Sequence, residues 1–302
     1  MSFSPITLFT YARPDHARRT VEALLQNHLA ASHDLIVFAD AARTPEKQSA
    51  VDEVRAYLAT ITGFRTVTIH HRPHNFGLAK SIIEGVTQVL SDHERIIVLE
   101  DDMVTSPYFL PYMNEALDRY VDDDRVVSIH GYVYPVGQVL PEAFFLTGAD
   151  CWGWATWRRG WRLFNPDGQA LLDELKRRDL MKAFDFSGTY GFSKMLEGQT
   201  KGLNDSWAVR WYASAFLAGK LTLYPGRSLV HNIGNDSSGT HCGADTIHDA
   251  NLSVSPINLS AVGVLPSVAG RAAFEAFFKK AQGSFVSKLR RGIQKTFAKV
   301  IA

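Results

Sequence analysis

Three adjacent carboxylates follow an apolar run in the segment RIIVLEDDMVTSPYF, residues 95–109. The run has high β-propensity, so Glu100, Asp101 and Asp102 come where a buried strand reaches the surface. Adjacent carboxylates repel each other, and burial increases the repulsion. A divalent cation held by carboxylate, water and phosphate oxygens would relieve it, and would suit chemistry in which a phosphate leaves. A solvated loop or an acidic helix N-terminus is the alternative interpretation.

Several other polar residues could contact a nucleotide. Asp40 ends a second apolar run and could accept a hydrogen bond from a base N–H, or it could cap a turn. Asn75 and Gly77 precede a helical pattern, where an anion is favoured, although an ordinary turn has the same composition. Lys80 could reach a phosphate or be solvated, and Arg13, held rigidly before a proline, could border the base or phosphate. The chain has no G-x-G-x-x-G and no Walker lysine, which argues against a dinucleotide enzyme or a P-loop NTPase.

Strand and helix patterns alternate over the first hundred residues. The predicted strands are ITLFT, DLIVFADAA, RTVTIHHR and RIIVLEDD, and the predicted helices cover residues 15–28, residues 45–58 and NFGLAKSIIEGVTQVL. This alternation predicts an α/β fold, with a mostly parallel central sheet flanked by helices. Ligands of such sheets bind outside the carboxyl ends of the strands, which is where the three carboxylates fall.

The pattern after residue 102 is less regular. The predicted elements are a helix in YFLPYMNEALDRYV capped by Ser106-Pro107, a strand in VVSIHGYVYP, a polar helix from Gln169 to Lys182, a helix after GLNDSW, and a strand and turn in TLYPGRSLVH. Trp154, Trp157 and Trp161 recur at helical spacing, and packing in a core or interface is the favoured interpretation.

Composition limits the classes of function. The 302 residues are 46% hydrophobic and 21% charged, as in a soluble globular protein with a sizeable core. The 32 Lys and Arg balance the 31 Asp and Glu, so no nucleic-acid partner is expected. We find no apolar run long enough to span a bilayer and no secretory signal, which predicts a cytoplasmic protein with Cys151 and Cys242 reduced.

The ordered set of segments resembles the GT-A glycosyltransferases. The Glu-Asp-Asp after a strand is similar to their metal-binding Asp-x-Asp element, in the form of the inverting N-acetylglucosaminyltransferase I group and related bacterial sugar transferases. The other matching segments, in the order of that family, are TYARPDHARRTVEALL, VFADAA, NFGLAKSIIEGV, TGADCWGWATWRRGW and GLNDSWAVRW. The resemblance implies a GT-A fold and metal-dependent transfer of a sugar, with inversion, from a nucleotide diphospho-sugar (a UDP-sugar is favoured) to a glycan hydroxyl.

The resemblance also implies roles for single residues. Asp102 would touch a Mn²⁺ or Mg²⁺ ion, and His231 or His241 would be a further ligand, although a structural histidine is the alternative for each. The residues facing the nucleotide and its ribose or phosphates would be Thr10, Arg13, Asp40, Asn75, Gly77, Lys80, Glu100 and Asp101. The Gly/Ser/Asn-rich loop 232–243 could order over the donor as a lid.

On the acceptor side, Asp150 could hydrogen-bond sugar hydroxyls and Trp152 could stack on a sugar ring. Asp205 in GLNDSW corresponds to the base that takes the proton of the acceptor hydroxyl. Either Asp205 or Ser206 could instead cap the following helix. The bacterial members imply an acceptor in a surface glycan, such as lipopolysaccharide or capsule.

We expect one GT-A domain over residues 1–265, with a nucleotide-binding half (1–102) and an acceptor-binding half (103–265). Residues 266–302 form a basic extension, and SFVSKLRRGIQKTFAKVIA places its apolar and basic residues on opposite helical faces. This pattern is typical of a helix in a membrane interface, or of a terminal helix docked on its own domain. A lipid-linked acceptor would favour peripheral contact with the inner face of the cell membrane. The oligomeric state does not follow from the sequence.

Two alternatives remain open. A nucleotidyltransferase that makes the sugar nucleotide should carry a Gly-rich basic loop after its first strand, and TYARPDH contains no glycine. A non-catalytic carbohydrate-binding protein with a transferase-like fold is the other. Release of nucleoside diphosphate in the presence of an acceptor would separate all three.

Overall fold

The computed structural model describes residues 3–236 and 246–282. The strands are β1 (Ile6–Thr10), β2 (Asp34–Ala39), β3 (Thr66–His71), β4 (Arg95–Glu100), β5 (Met103–Thr105), β6 (Val126–His130), β7 (Ala143–Thr147), β8 (Trp154–Trp157), β9 (Leu221–Pro225) and β10 (Val230–Asn232). The helices are α1 (Pro14–Leu25), α2 (Gln48–Leu58), α3 (Leu78–Asp92), α4 (Phe109–Arg119), α5 (Arg158–Trp161), α6 (Gly168–Arg177), α7 (Met181–Phe184), α8 (Phe192–Thr200), α9 (Trp207–Leu217) and α10 (residues 268–282).

The central sheet has eight strands in the order β3-β2-β1-β4-β8-β6-β9-β7. Neighbours from β3 to β4 are parallel, as are β6 and β9, whereas β8 and β7 run antiparallel to their neighbours. The predicted α/β fold with a mostly parallel sheet is therefore confirmed. Strands β5 and β10 pair separately, directly after the three carboxylates.

Successive strand residues face opposite layers of helices. In β1, Leu8 packs in a core that includes α1, α2 and α4, whereas Phe9 packs in a core that includes α3 and α9. Both side chains are buried, as expected for a strand covered on both faces. Burial of each large apolar side chain contributes about 1.5–3 kcal/mol, so the layers fix the strand ends that carry the polar residues.

The tryptophan segment is part strand and part helix. The predicted helical periodicity is wrong for Trp154 and Trp157, whereas Trp161 ends the short helix α5. Trp154 and Trp157 lie in β8, which is inserted between β4 and β6. An odd spacing in a strand places side chains on opposite faces. Accordingly, Trp154 contacts Trp207 and Trp211, while the indole N–H of Trp157 donates to the Leu117 carbonyl at 3.2 Å. The predicted packing role is confirmed.

The predicted polar helix from Gln169 to Lys182 is interrupted. Helix α6 ends at Arg177, Asp179 has a φ of 54°, and α7 is a separate short helix. A left-handed residue cannot continue a right-handed helix, which explains the break.

Helix α10 belongs to the core of the acceptor half. Phe274, Phe277 and Phe278 pack there among aromatic residues of α7, α8 and α9. Residues 283–302, with the whole of the predicted amphipathic segment SFVSKLRRGIQKTFAKVIA, lie outside the described residues. Within the described ranges, we find no helix with the length and apolar character needed to cross a membrane.

Candidate active site

The acidic triad (Glu100, Asp101 and Asp102) lies at the carboxyl end of β4. Asp101 and Asp102 are 3% and 6% exposed. Arg13, from the loop between β1 and α1, donates from Nη2 to Oδ1 of Asp101 and, at 2.8 Å, to Oδ2 of Asp102. The backbone N–H of Tyr11 donates to the other Asp101 oxygen at 3.1 Å. The chain therefore relieves part of the repulsion with its own guanidinium, and contact of Arg13 with a base or phosphate stays a prediction.

One oxygen of Asp102 remains without a partner. Its Oδ1 is buried and makes no hydrogen bond to the described residues. Gly234 lies against the other oxygen, since a Cβ there would come within 2.2 Å of Asp102 Oδ2. A free carboxylate oxygen beside a glycine fits a hard divalent cation. The described residues contain no group of three or more His, Cys, Asp or Glu placed to hold a metal, so most of its shell would come from water and phosphates.

The electrostatics of the triad also favour a cation. The pKa of Glu100 is raised to about 8, first by burial and then by the negative charges of Asp102 and Asp101. Burial likewise raises the pKa of Asp102, although Arg13 opposes the shift. A nearby cation stabilises the ionised form of a carboxylate, so a bound cation would lower these raised pKa values.

Asp40 anchors the turn that precedes α3. Oδ1 of Asp40 accepts the N–H of Phe76 at 2.9 Å, and Oδ2 accepts the N–H of Gly77 at 3.0 Å and an amide hydrogen of Asn75 at 3.2 Å. Gly77 has a φ of 73°, which favours glycine, and nothing lies within 4 Å of its missing Cβ. The turn-capping role is thus observed, and contact with a base stays a prediction.

The other two nucleotide-side predictions differ in environment. The Thr10 hydroxyl is buried at the end of β1 without a described partner. Lys80 is exposed, lies 3.7 Å from Glu84 and has its ammonium 4.4 Å from the Phe76 ring centre. Arg72 approaches the same ring at 4.5 Å. Sequence reasoning missed this pair of cations on Phe76, because the predicted strand RTVTIHHR includes Arg72, whereas β3 ends at His71 and Arg72 lies in the same loop as Phe76.

Asp150 and Trp152 lie beside the triad. Strand β8 pairs antiparallel with β4 with Trp154 opposite Val98, so the residues just before β8 adjoin the end of β4. Burial raises the pKa of the Cys151 thiol, and the charges of Asp150, Glu100 and Asp102 raise it further, as expected for a thiol near both Asp150 and the triad. The N–H of Trp152 donates to Nε2 of a buried histidine, His130, at 3.0 Å.

Asp205 precedes α9 and is not its cap. The hydroxyl of Ser206 accepts the N–H of Val209 at 3.2 Å and caps the helix. The Asp205 side chain is 71% exposed and accepts a hydrogen bond from Arg210 at 3.1 Å. Arg210 is itself buried and also donates to the carbonyl of Ser206. Sequence reasoning missed Arg210; its place five residues after Asp205 in an apolar helix was the available signal.

Of the two histidines predicted as metal ligands, the structure describes His231 but not His241. His231 lies on β10 opposite Val104, and its Nδ1 is buried without a described partner. Its role as a metal ligand stays a prediction. His241 and the rest of residues 237–243 of the predicted lid lie outside the described residues.

A mostly parallel sheet with an acidic triad at its carboxyl edge is the architecture of GT-A nucleotide-sugar transferases. A family model, glycosyl transferase family 2, matches residues 6–170, which is more than half of the 302-residue chain. The chain therefore belongs to glycosyl transferase family 2, and the GT-A resemblance is confirmed. The narrower likeness to the N-acetylglucosaminyltransferase I group stays a prediction.

Solved structures offer remote likenesses only. The crystal structure of S. aureus TarS 1–349 shares 11% identity with this chain at a TM-score of 0.34, covering 58% of this chain and 49% of that one. UDP-glucose pyrophosphorylase complexed with UDP-glucose shares 12% identity at a TM-score of 0.30, covering 57% and 80%. This chain thus spans about half the length of the TarS chain. No curated protein matches the sequence.

Proposed function

We propose that this chain transfers a sugar from a nucleotide diphospho-sugar to a glycan hydroxyl, with inversion at the anomeric carbon. Its family supports the reaction class. The observation that carries the proposal is the position of the triad at the end of β4. Asp40 follows β2 on one side of it and Asp150 precedes β8 on the other, so candidate donor and acceptor groups flank the acidic centre.

On the donor side, the turn fixed by Asp40 positions Gly77 and the N-terminus of α3 towards the nucleotide, and Lys80 supplies positive charge near its phosphates. Arg13 keeps Asp101 and Asp102 in place. A Mn²⁺ or Mg²⁺ ion bound at Asp102, with His231 as a candidate further ligand, would stabilise the negative charge on the departing diphosphate.

On the acceptor side, Asp205 takes the proton of the attacking hydroxyl. The hydroxyl oxygen bonds to the anomeric carbon while the bond from that carbon to the diphosphate oxygen breaks. Attack from the face opposite the leaving group inverts the configuration, through a transition state with oxocarbenium character. Arg210 holds Asp205 by a hydrogen bond at 3.1 Å, and Asp150 and Trp152 receive the acceptor sugar.

We infer the biological setting from the resemblance to bacterial transferases. The acceptor is a growing surface glycan, such as lipopolysaccharide or capsule, and its lipid-linked form would be met at the cytoplasmic face of the membrane. The basic residues after Ala276 would add attraction to anionic lipids, at about 1 kcal/mol for each Lys or Arg near the surface.

A thermal-shift panel of sugar nucleotides tests donor binding. Ligand at about 100 times its Kd adds about 2.7 kcal/mol to the stability of the folded state, so a UDP-sugar with Mn²⁺ should raise the Tm. EDTA or Asp102→Asn should remove the Mn²⁺-dependent part, whereas Asp92→Asn, on the exposed end of α3, should not.

The catalytic part of the proposal needs a product assay. Incubation with donor and a glycan acceptor should release nucleoside diphosphate and invert the anomeric configuration. Pyrophosphate exchange instead would indicate a nucleotidyltransferase, and donor or glycan binding without turnover would indicate a binding protein. Full activity after exhaustive chelation would contradict the metal-dependent mechanism.

A further inference from the structure

Asp150 is a carboxylate without a cationic partner in the described part of the chain. Its Oδ1 accepts the N–H of Cys151 at 2.9 Å and lies 3.9 Å from Nε2 of His130. That nitrogen accepts a backbone N–H, and burial lowers the pKa of His130, so the ring is neutral. Within residues 3–236 and 246–282, no Lys or Arg pairs with Asp150. Its side chain is 24% exposed, so within these residues it keeps an uncompensated charge beside the triad.

Three tyrosines lie near this carboxylate, and one of them, Tyr224, approaches it closely. The Tyr224 hydroxyl lies 3.5 Å from Asp150 Oδ2, and the rings of Tyr134 and Tyr190 pack on the same Phe278 ring at 4.9 and 4.7 Å. Burial raises the pKa of each tyrosine and the Asp150 charge raises it further, so all three phenols are protonated. Within residues 3–236 and 246–282, no side chain or backbone group hydrogen-bonds the hydroxyls of Tyr134 and Tyr190.

The chemistry of this group, the Asp150 cluster (Asp150, Tyr134, Tyr190 and Tyr224), is that of a sugar site. Phenol hydroxyls donate and accept hydrogen bonds, and a carboxylate accepts them from adjacent sugar hydroxyls. Trp152 adds an aromatic wall through its contact with Tyr132, at 4.7 Å between ring centres. An anion placed here would meet a fixed negative charge with no described Lys or Arg in contact, and like charges brought together repel each other.

We propose that the Asp150 cluster binds a neutral pyranose unit of the acceptor and excludes acceptors that carry a carboxylate or phosphate on that unit. That the bound sugar belongs to the acceptor rests on the proposed function. The position agrees with it, because the residues just before β8 adjoin the end of β4, so a sugar bound at Asp150 would lie beside the triad. Asp150 is then a residue that determines specificity, distinct from the base Asp205.

Matched glycosides test the inference in the full-length protein. Methyl β-D-glucopyranoside and methyl β-D-galactopyranoside are each compared with the corresponding uronate by saturation-transfer NMR titration, with and without UDP and Mn²⁺. At least one neutral glycoside should bind, and its uronate should bind roughly tenfold or more weakly, a difference of about 1.4 kcal/mol or more. Asp150→Asn, which keeps an acceptor oxygen, should reduce that ratio to about threefold or less.

Two further variants and a parallel measurement complete the test. Tyr134→Phe should weaken binding of the neutral glycoside, whereas Tyr57→Phe, on α2 in the nucleotide half, should leave it unchanged. Equal binding of neutral and uronate glycosides, no binding of either, or an unchanged ratio in Asp150→Asn overturns the inference. UDP binding followed by thermal shift separates the two proposals: UDP binding without the preference rejects this inference alone, and the preference without UDP binding rejects the transferase proposal while supporting the sugar site.

Discussion

The two halves of the molecule use their carboxylates differently. In the nucleotide half, Asp40, Asp101 and Asp102 are buried and are held by backbone N–H groups or by Arg13. In the acceptor half, Asp150 and Asp205 are 24% and 71% exposed. Buried, hydrogen-bonded carboxylates fix a backbone, whereas accessible ones can exchange a proton or bind a hydroxyl. The first group should therefore matter for stability and donor binding, and the second for turnover and acceptor choice.

Asp205→Asn gives the largest expected effect and tests the second group. The variant should lower kcat by roughly 10²–10⁴-fold, the usual contribution of a general base. The Tm and the affinity for the donor should barely change, because the side chain is exposed. Product that keeps the anomeric configuration of the donor would exclude the proposed role, whatever the kinetics of the variant.

Trp154→Ala tests whether the halves are one cooperative unit. Trp154 is 1% exposed and packs against Trp207 of α9 while sharing a core with Phe9 of β1. Its removal should reduce the free energy of unfolding by about 3–5 kcal/mol. Denaturant unfolding followed by fluorescence and by circular dichroism should give one shared, lowered midpoint. Separate transitions for the two probes would mean that the halves unfold independently.

Asp40→Asn tests the first group, the buried carboxylates of the nucleotide half. An amide retains one acceptor oxygen, so at least one N–H of the turn at Phe76 and Gly77 loses its charged partner. The free energy of unfolding should fall by about 1–3 kcal/mol, which is the reverse of the result for Asp205→Asn. Unchanged stability in urea titrations would show that the turn does not need this carboxylate.

A buried histidine gives the smallest predicted effect. His33 is fully buried, with Nδ1 2.7 Å from the Ser4 carbonyl and Nε2 3.1 Å from the Asn114 amide, and burial lowers its pKa. The unfolded chain therefore binds a proton that the folded chain resists, so stability falls as the pH drops below the unfolded pKa of about 6.5.

The slope from this one group is at most about 1.4 kcal/mol per pH unit. His33→Gln, which does not titrate, should flatten the fall measured by urea unfolding between neutral and mildly acid pH. His71→Gln, at an exposed position on β3, serves as the control. An identical pH profile in His33→Gln would assign the acid sensitivity to other groups.

Sequence patterns were most informative where the contacts are local. The predicted strand Ile6–Thr10 agrees with β1, and the triad was correctly placed at a strand end. In the acceptor half, β7 and α8 were not predicted, and the spacing of Trp154 and Trp157 was taken as helical. A βαβ unit repeats one local sequence pattern. Strand β8, in contrast, is specified by its pairing with two strands distant in sequence, β4 and β6.

The sequence by itself determined the α/β class, the acidic strand end and the set of candidate residues, because each depends on residue type and short-range periodicity. Only the tertiary structure decided which of these residues already have hydrogen-bond or ion-pair partners within the chain. Arg13 reaches Asp101 across 88 residues, and Asp40 holds a turn that begins 35 residues later. Asp150 lies near tyrosines from three separate segments of the chain. Such partners are selected by the packing of helices on both faces of the sheet, which no local pattern records.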